Sequence, residues 1–282
     1  MNSAVAGSAA TGRLAVPDAE LAWERAGSGD PVVLVHGSWD DRRSWDRVVP
    51  ALARAHSVVR YDRRGHSEST APPGQGSIVE DAEDLLAVVD ALAGGRAHLV
   101  GHSYGASVVL LAAARRPSAV RSVTAHEPPL FALLREDPAA AAPLAEAAGW
   151  MRRAAELIES GDAEGGARAF VEHVGFGAGA WEGLFGPEAR ATIVRNAHTW
   201  LDQHRDPDRL AVDPSALANA GVPVAVTTGT ATLPTYRAVV AALTRRLPEL
   251  TVLPVSGAGH APHISHPDVY ADLLLTRLRT GS

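Results

Sequence analysis

The 282-residue chain contains no cysteine. A thiol nucleophile, a disulfide framework and a thiolate metal site are therefore excluded. Lysine is absent as well: all 26 basic residues are arginine, which together with long alanine-rich stretches reads as GC-rich coding bias rather than a functional signal. No window reaches the roughly 18 uninterrupted apolar residues of a membrane span. Met1 to Leu14 lacks a basic patch followed by an apolar run, so no secretion signal is read there and a soluble, cytoplasmic protein is expected. A net charge of −6 gives no attraction to nucleic acid or an anionic membrane surface. No repeat at a solenoid period is present. What remains is an ordinary globular composition, 46% hydrophobic and 21% charged, at a length that suits one α/β domain with an embedded subdomain.

Short β-branched runs alternate with helix-length segments, the pattern of a mostly parallel sheet flanked by helices. The runs predict strands over Pro31–His36, Ser57–Asp62, Ala97–Gly101, Val120–His126, Val222–Thr228 and Leu250–Val255. Weaker segments at Leu14–Val16 and Leu21–Glu24 predict an antiparallel edge. Helical spacing of apolar residues marks Ser44–Arg54, Ile78–Ala93, Ser103–Arg116, Tyr236–Leu247 and Pro267–Arg279. Between Pro128 and Asp213 the alternation stops, and Ala141–Glu159, Ala163–Val174 and Pro187–Gln203 read as helices. The expected organisation is thus a core of residues 1–127 and 214–282, with residues 128–213 as a helical lid over the carboxyl edge of the sheet, before the penultimate strand. Ligands bind at that edge in open α/β sheets.

Gly101-His102-Ser103-Tyr104-Gly105 matches G-x-S-x-G directly after an apolar strand and before an Ala/Val/Leu-rich helix. So sharp a turn strains the central residue and leaves no room for side chains beside it, hence glycine on both sides. The turn would lift the Ser103 hydroxyl above the sheet, at a helix N-terminus that favours developing negative charge. An oxyanion needs a second backbone donor, typically worth ~2.7–4 kcal/mol. The strand Val32–Val35 runs into His36-Gly37-Ser38, so the amides of Ser38 and Tyr104 are the expected pair. His36 is read as fixing that loop, and Trp39 either lines the pocket mouth or packs on a neighbouring helix.

The glycine-bearing loop Ser256-Gly257-Ala258-Gly259-His260 follows the last predicted strand and can turn the imidazole back over the sheet as general base. His263 and His266 recur at intervals of three, but no carboxylate other than Asp268 accompanies them, so no metal is expected. An acid that orients the imidazole is often found after the penultimate strand. Here Gly229-Thr230-Ala231-Thr232-Leu233-Pro234 contains none. Glu127, in His126-Glu127-Pro128-Pro129 at the end of the strand before the insert, takes that place; Asp213 lies before its strand, near the wrong edge.

Taken in chain order, His36-Gly37, the Ser103 turn, Glu127 and His260 resemble the α/β-hydrolase superfamily over nearly the whole length. The loop Tyr61-Asp62-Arg63-Arg64-Gly65-His66-Ser67 also looks like one that follows an early strand in that superfamily, and is read as structural. The position of the acid is similar to the subset that includes haloalkane dehalogenases and zearalenone lactonases. Ser103 in place of an Asp nucleophile argues against dehalogenation and epoxide hydrolysis. The resemblance implies a serine hydrolase that cleaves a hydrophobic carboxylic ester or lactone, with no cofactor and a small-molecule substrate. C–C bond hydrolysis, thioester cleavage, acyl transfer, cyclisation or a ligand receptor on the same residues stay open. Trp150, Trp181 and Trp200 lie in the insert and are candidate pocket residues, Trp181 foremost.

Overall fold

The computed structural model describes residues 9–72, 74–209 and 212–280. Its centre is an eight-stranded sheet built from β1 (Ala10–Val16), β2 (Ala19–Ala26), β3 (Asp30–Val35), β4 (His56–Tyr61), β5 (Ala97–His102), β6 (Val120–His126), β7 (Val224–Gly229) and β8 (Thr251–Val255). The spatial order is β1-β2-β4-β3-β5-β6-β7-β8. From β4 to β8 every pairing is parallel; β1 and β2 form the antiparallel edge expected from the sequence.

Successive side chains of a strand point to opposite faces, and β3 shows what that does. Val33 and Val35 join one buried cluster with α2 (Ile78–Leu92) and α3 (Tyr104–Arg115). Val32 and Leu34 join another, with α1 (Val49–Leu52) and Tyr270, Leu274 and Leu278 near the C-terminus. Both faces are thus covered, which is why the central strands read as unbroken apolar runs.

The region between β6 and β7 is helical, with α4 (Ala141–Glu159), α5 (Ala163–Phe170), α6 (Ala180–Gly183), α7 (Pro187–Arg195), α8 (Ala197–Arg205) and α9 (Pro214–Asn219). Its helices form an apolar cluster that includes Trp181, Phe185 and Trp200, and Trp39 from the loop after β3 packs into it. After β7 come α10 (Pro234–Arg246), then beyond β8 the short α11 (Pro262–Ser265) and α12 (Pro267–Thr280).

Three expected helices differ. Ser44–Arg54 is a 3-10 turn at Arg42–Trp45 followed by α1, because Arg42 is pinned to Glu24 at 2.8 Å and its amide to Asp62 at 2.9 Å. Ala163–Val174 ends as an α-helix at Phe170 and widens into a π-helical turn over Val171–Gly175. Pro187–Gln203 breaks at Asn196 into α7 and α8. There the side-chain amide leaves the helix surface to donate to the Asp40 carbonyl at 3.0 Å and accept from the Ser67 amide at 3.0 Å.

Register places the site. Val35 pairs with Gly101, His102 with His126, and His126 with Thr227. The loops that carry Ser38, Ser103, Glu127 and the segment after β7 therefore leave the sheet at one edge.

Candidate active site

Ser103 sits between β5 and α3 at φ 52° and ψ −121°. That left-handed conformation is costly for a residue with a side chain, roughly 1–3 kcal/mol. The turn holds because the Ser103 amide donates to the His126 carbonyl at 2.9 Å. A Cβ on Gly101 would lie 2.3 Å from the Gly105 carbonyl oxygen; one on Gly105 would lie 2.4 Å from the carbonyl oxygens of both Val35 and His36. Backbone cannot retreat as a side-chain tip can, so both positions require glycine.

Glu127 is the second non-glycine residue of this edge at positive φ, 45°. Its side chain is nearly fully buried and makes four hydrogen bonds. Oε1 accepts the Gly229 amide at 2.8 Å and the Thr228 hydroxyl at 2.9 Å; Oε2 accepts the Thr232 hydroxyl at 2.8 Å and the Nδ1–H of His260 at 2.7 Å. Burial opposes ionisation, but the adjoining His126 and His260 imidazoles and the Gly229 amide hold the carboxyl well below the usual carboxylate range.

With Nδ1 donating to Glu127, the His260 Nε2 is the basic nitrogen. Tyr236 stacks on the ring at 4.0 Å between centroids, and the His102 ring lies 4.9 Å away. His102 Nε2 donates to the His260 carbonyl at 2.8 Å, so the residue before Ser103 holds the backbone of the imidazole loop. Burial lowers the His260 pKa below that of a free imidazole, with Glu127 opposing the shift. Ser103 and His260 border one small void together with Ser38 and His102. No Ser103–His260 hydrogen bond forms among the described residues; such contacts often tighten only with substrate bound.

The Ser38 loop is held from behind. Arg63, buried, donates to the Gly37 carbonyl at 2.9 Å, and Asn196 holds the carbonyls of Trp39 and Asp40. His36 accepts the Arg63 amide on Nε2 at 2.9 Å, the loop-fixing role read from the sequence. Tyr104 is the first residue of α3, where an amide has no intrahelical partner.

Ser38, Ser103 and Tyr104 open onto a cavity of about 270 Å³ whose walls are mostly apolar. Phe131, Met151, Phe170, Trp200 and Tyr236 contribute to it. A larger cavity of about 520 Å³ lies on the far side of Tyr104 and Gln203, and Ser103 does not reach it. Of the tryptophans singled out in the sequence, Trp200 lines the Ser103 cavity and stacks on Trp39 at 5.0 Å. Trp39 borders the small void, not the Ser103 cavity, and packs on Trp200 of α8. Trp181 is placed elsewhere: it is buried in the insert's own apolar cluster and lies on the wall of neither cavity. Trp150 stacks face to face on His173 at 3.6 Å, likewise off the walls. Asp213 caps α9 by accepting the Ser215 amide at 2.8 Å.

Thr228, Thr232, Tyr236, Arg63 and Asn196 were not singled out in the sequence as parts of this site. The missing carboxylate between Gly229 and Pro234 was the available signal, since the Gly229 amide and the Thr232 hydroxyl of that segment receive Glu127 instead. Two side-chain groups place possible ion ligands within 4.8 Å of one another, Asp40 with His102 and His263, and His126 with Glu127 and His260. Neither includes His266 or Asp268. The Glu127 oxygens of the second are already engaged as described, and burial pushes His126 down to about 3, so that ring is neutral.

An α/β sheet with this strand order, a serine at a strained strand-to-helix turn, and a buried carboxylate–imidazole pair at the same edge define a hydrolase-type framework. The model of the alpha/beta hydrolase family matches residues 32–273, and the chain belongs to that family. In sequence, the chain is similar to the dihydrolipoyllysine-residue acetyltransferase component of an acetoin cleaving system from Pseudomonas putida. The two are 40% identical over 106 residues, 37% of this chain and 29% of that protein. The first curated relatives are matched over only 29–46% of their own length. In structure, a hydrolase from Pseudomonas aeruginosa PA01 is similar with a TM-score of 0.76 at 24% identity, covering 95% of this chain and 98% of that one. A thermophilic esterase from Thermogutta terrifontis gives a TM-score of 0.75 at 23% identity, covering 96% and 99%. At these identities the likeness is one of fold.

Proposed function

We propose that this α/β hydrolase is a serine enzyme that cleaves hydrophobic carboxylic esters or lactones through an acyl-enzyme. The observation that carries the reading is the Glu127–His260 bond at 2.7 Å, on the sheet edge where the strained turn presents Ser103. Ser103 Oγ attacks the carbonyl carbon and its proton passes to His260 Nε2. Glu127 stays ionised, fixes the tautomer with the proton on Nδ1, and stabilises the imidazolium. The Ser38 and Tyr104 amides receive the oxyanion. His260 then gives the proton to the leaving alkoxide. Water, deprotonated by the same imidazole, attacks the acyl-enzyme, releases the acid and restores the Ser103 hydroxyl.

Residues 128–213 serve as the lid in this reading. Leu144, Met151, Phe170 and Trp200 from that region face Ser38, Ser103 and Tyr236 from the rest of the chain across the 270 Å³ cavity. Its mostly apolar walls suit a hydrocarbon acyl or alcohol portion. Hydrolysis of p-nitrophenyl butyrate tests the proposal: the wild-type chain turns it over steadily and Ser103→Ala, folded by circular dichroism, does not. A Ser103→Ala protein with wild-type turnover would refute it.

A further inference from the structure

Resting on the serine-hydrolase reading above, we infer that the natural ester or lactone carries a free carboxylate, which Arg135 and Arg209 receive inside the Ser103 cavity. The chain as a whole is acidic, with a net charge of −6. The wall of this cavity has the opposite balance: two guanidiniums and no Asp or Glu among the described residues. The arginines approach from opposite ends of the insert, Arg135 at the end of the turn Phe131–Leu134 after β6, Arg209 between α8 and α9 ahead of β7.

Arg135 is exposed to solvent, whereas Arg209 is partly buried and feels the charge of Asp206 without a carboxylate in direct contact among the described residues. Its Nη1 hydrogen-bonds to His204 Nδ1 at 3.2 Å. Asp206 is close in sequence, but its Oδ2 accepts the Ile78 amide and its Oδ1 the Asp208 amide, each at 2.8 Å. Neither Arg135 nor Arg209 forms an ion pair among the described residues, whereas Arg42, Arg60, Arg63 and Arg64 each hold a carboxylate. For Arg209, losing water without gaining an anion in direct contact is unfavourable. A ligand carboxylate removes that penalty, and its two oxygens match the planar fork of the guanidinium. The remaining wall is apolar, so the ligand that fits is amphipathic: a reactive carbonyl at Ser103, a short hydrocarbon stretch, and a carboxylate at the arginines.

The test uses two matched pairs of esters and one binding probe. The pairs are p-nitrophenyl hydrogen adipate against p-nitrophenyl hexanoate, and 4-carboxyphenyl butyrate against phenyl butyrate. The expected result is a higher kcat/KM for the anionic member of at least one pair, by about tenfold or more, the size of a charge-assisted hydrogen bond. Arg209→Gln and Arg135→Gln each reduce that ratio, the double variant removes it, and added salt diminishes it. Calorimetric titration with adipate gives the readout independent of turnover: binding to wild type and to Ser103→Ala, weakened about tenfold in Arg209→Gln. Equal rates within both pairs, or a preference that survives in the double variant, would overturn the proposal, as would absence of adipate binding. Turnover that persists in Ser103→Ala while adipate binding still depends on Arg209 would overturn the nucleophile and leave the anion site standing.

Discussion

The Glu127 carboxylate, leaving β6, accepts the hydroxyl of Thr232 at 2.8 Å, from a loop 105 residues further along the chain. The same carboxylate takes the Gly229 amide and the Thr228 hydroxyl. The loop after β7, which has no acid of its own, thus becomes the cradle of an acid from the neighbouring strand. Those bonds hold Oε2 where His260 Nδ1 can donate to it.

Thr232→Val keeps the volume and removes one donor to a buried carboxylate. A hydrogen bond to a charged group is worth about 1.5–3 kcal/mol, so kcat/KM for a neutral ester is expected to fall about tenfold or more. Thr228→Val, which touches the oxygen not facing His260, is expected to cost less. Steady-state kinetics of the two variants side by side provides the check.

Glu127→Gln removes the charge that favours imidazolium and is expected to lower kcat by about two to four orders of magnitude. It also carries a pH signature. His260 must be neutral to accept a proton, so activity is lost as pH falls through its pKa. Burial places that pKa below the free-imidazole value, while Glu127 raises it. The wild-type acid limb is therefore expected below about pH 6.5, and in Glu127→Gln it moves lower still. A pH profile of kcat/KM in both proteins measures the direction.

Much of this site was legible because its signals are local. Gly101 and Gly105 bracket Ser103 between an apolar strand and a helix, and each glycine proves to be demanded by a backbone contact. Glu127 stood out because the β7 loop lacked an acid and Pro128-Pro129 ended the strand beside it. What escaped was long-range. Nothing near Asn196 announces that its amide will reach Asp40 and split one apparent helix into α7 and α8. Trp181 read as a pocket residue from its glycine-rich surroundings, yet the insert needs a core of its own, and the indole fills it.

That placement separates two tryptophans experimentally. Trp181→Ala opens the insert's core and is expected to cost about 3–5 kcal/mol of stability, read by thermal denaturation. Trp200→Ala changes the cavity wall beside Ser103 as well, so KM for long-chain esters rises relative to short-chain ones. A Trp181 variant of unchanged melting temperature would contradict the assignment.

Gly105→Ala tests the turn itself. The added methyl would meet the Val35 and His36 carbonyl oxygens at 2.4 Å. Overpacking against backbone on this scale is expected to cost about 3 kcal/mol, seen as a lowered melting temperature or loss of soluble protein.

Reaction with a fluorophosphonate probe, followed by mass-spectrometric mapping of the labelled peptide, bears most directly on the nucleophile. The expected outcome is a single stoichiometric adduct on Ser103, slowed by orders of magnitude in Glu127→Gln and absent in Ser103→Ala. An adduct on another residue, or a native chain that hydrolyses esters while Ser103 stays unlabelled, would contradict the role given to that hydroxyl.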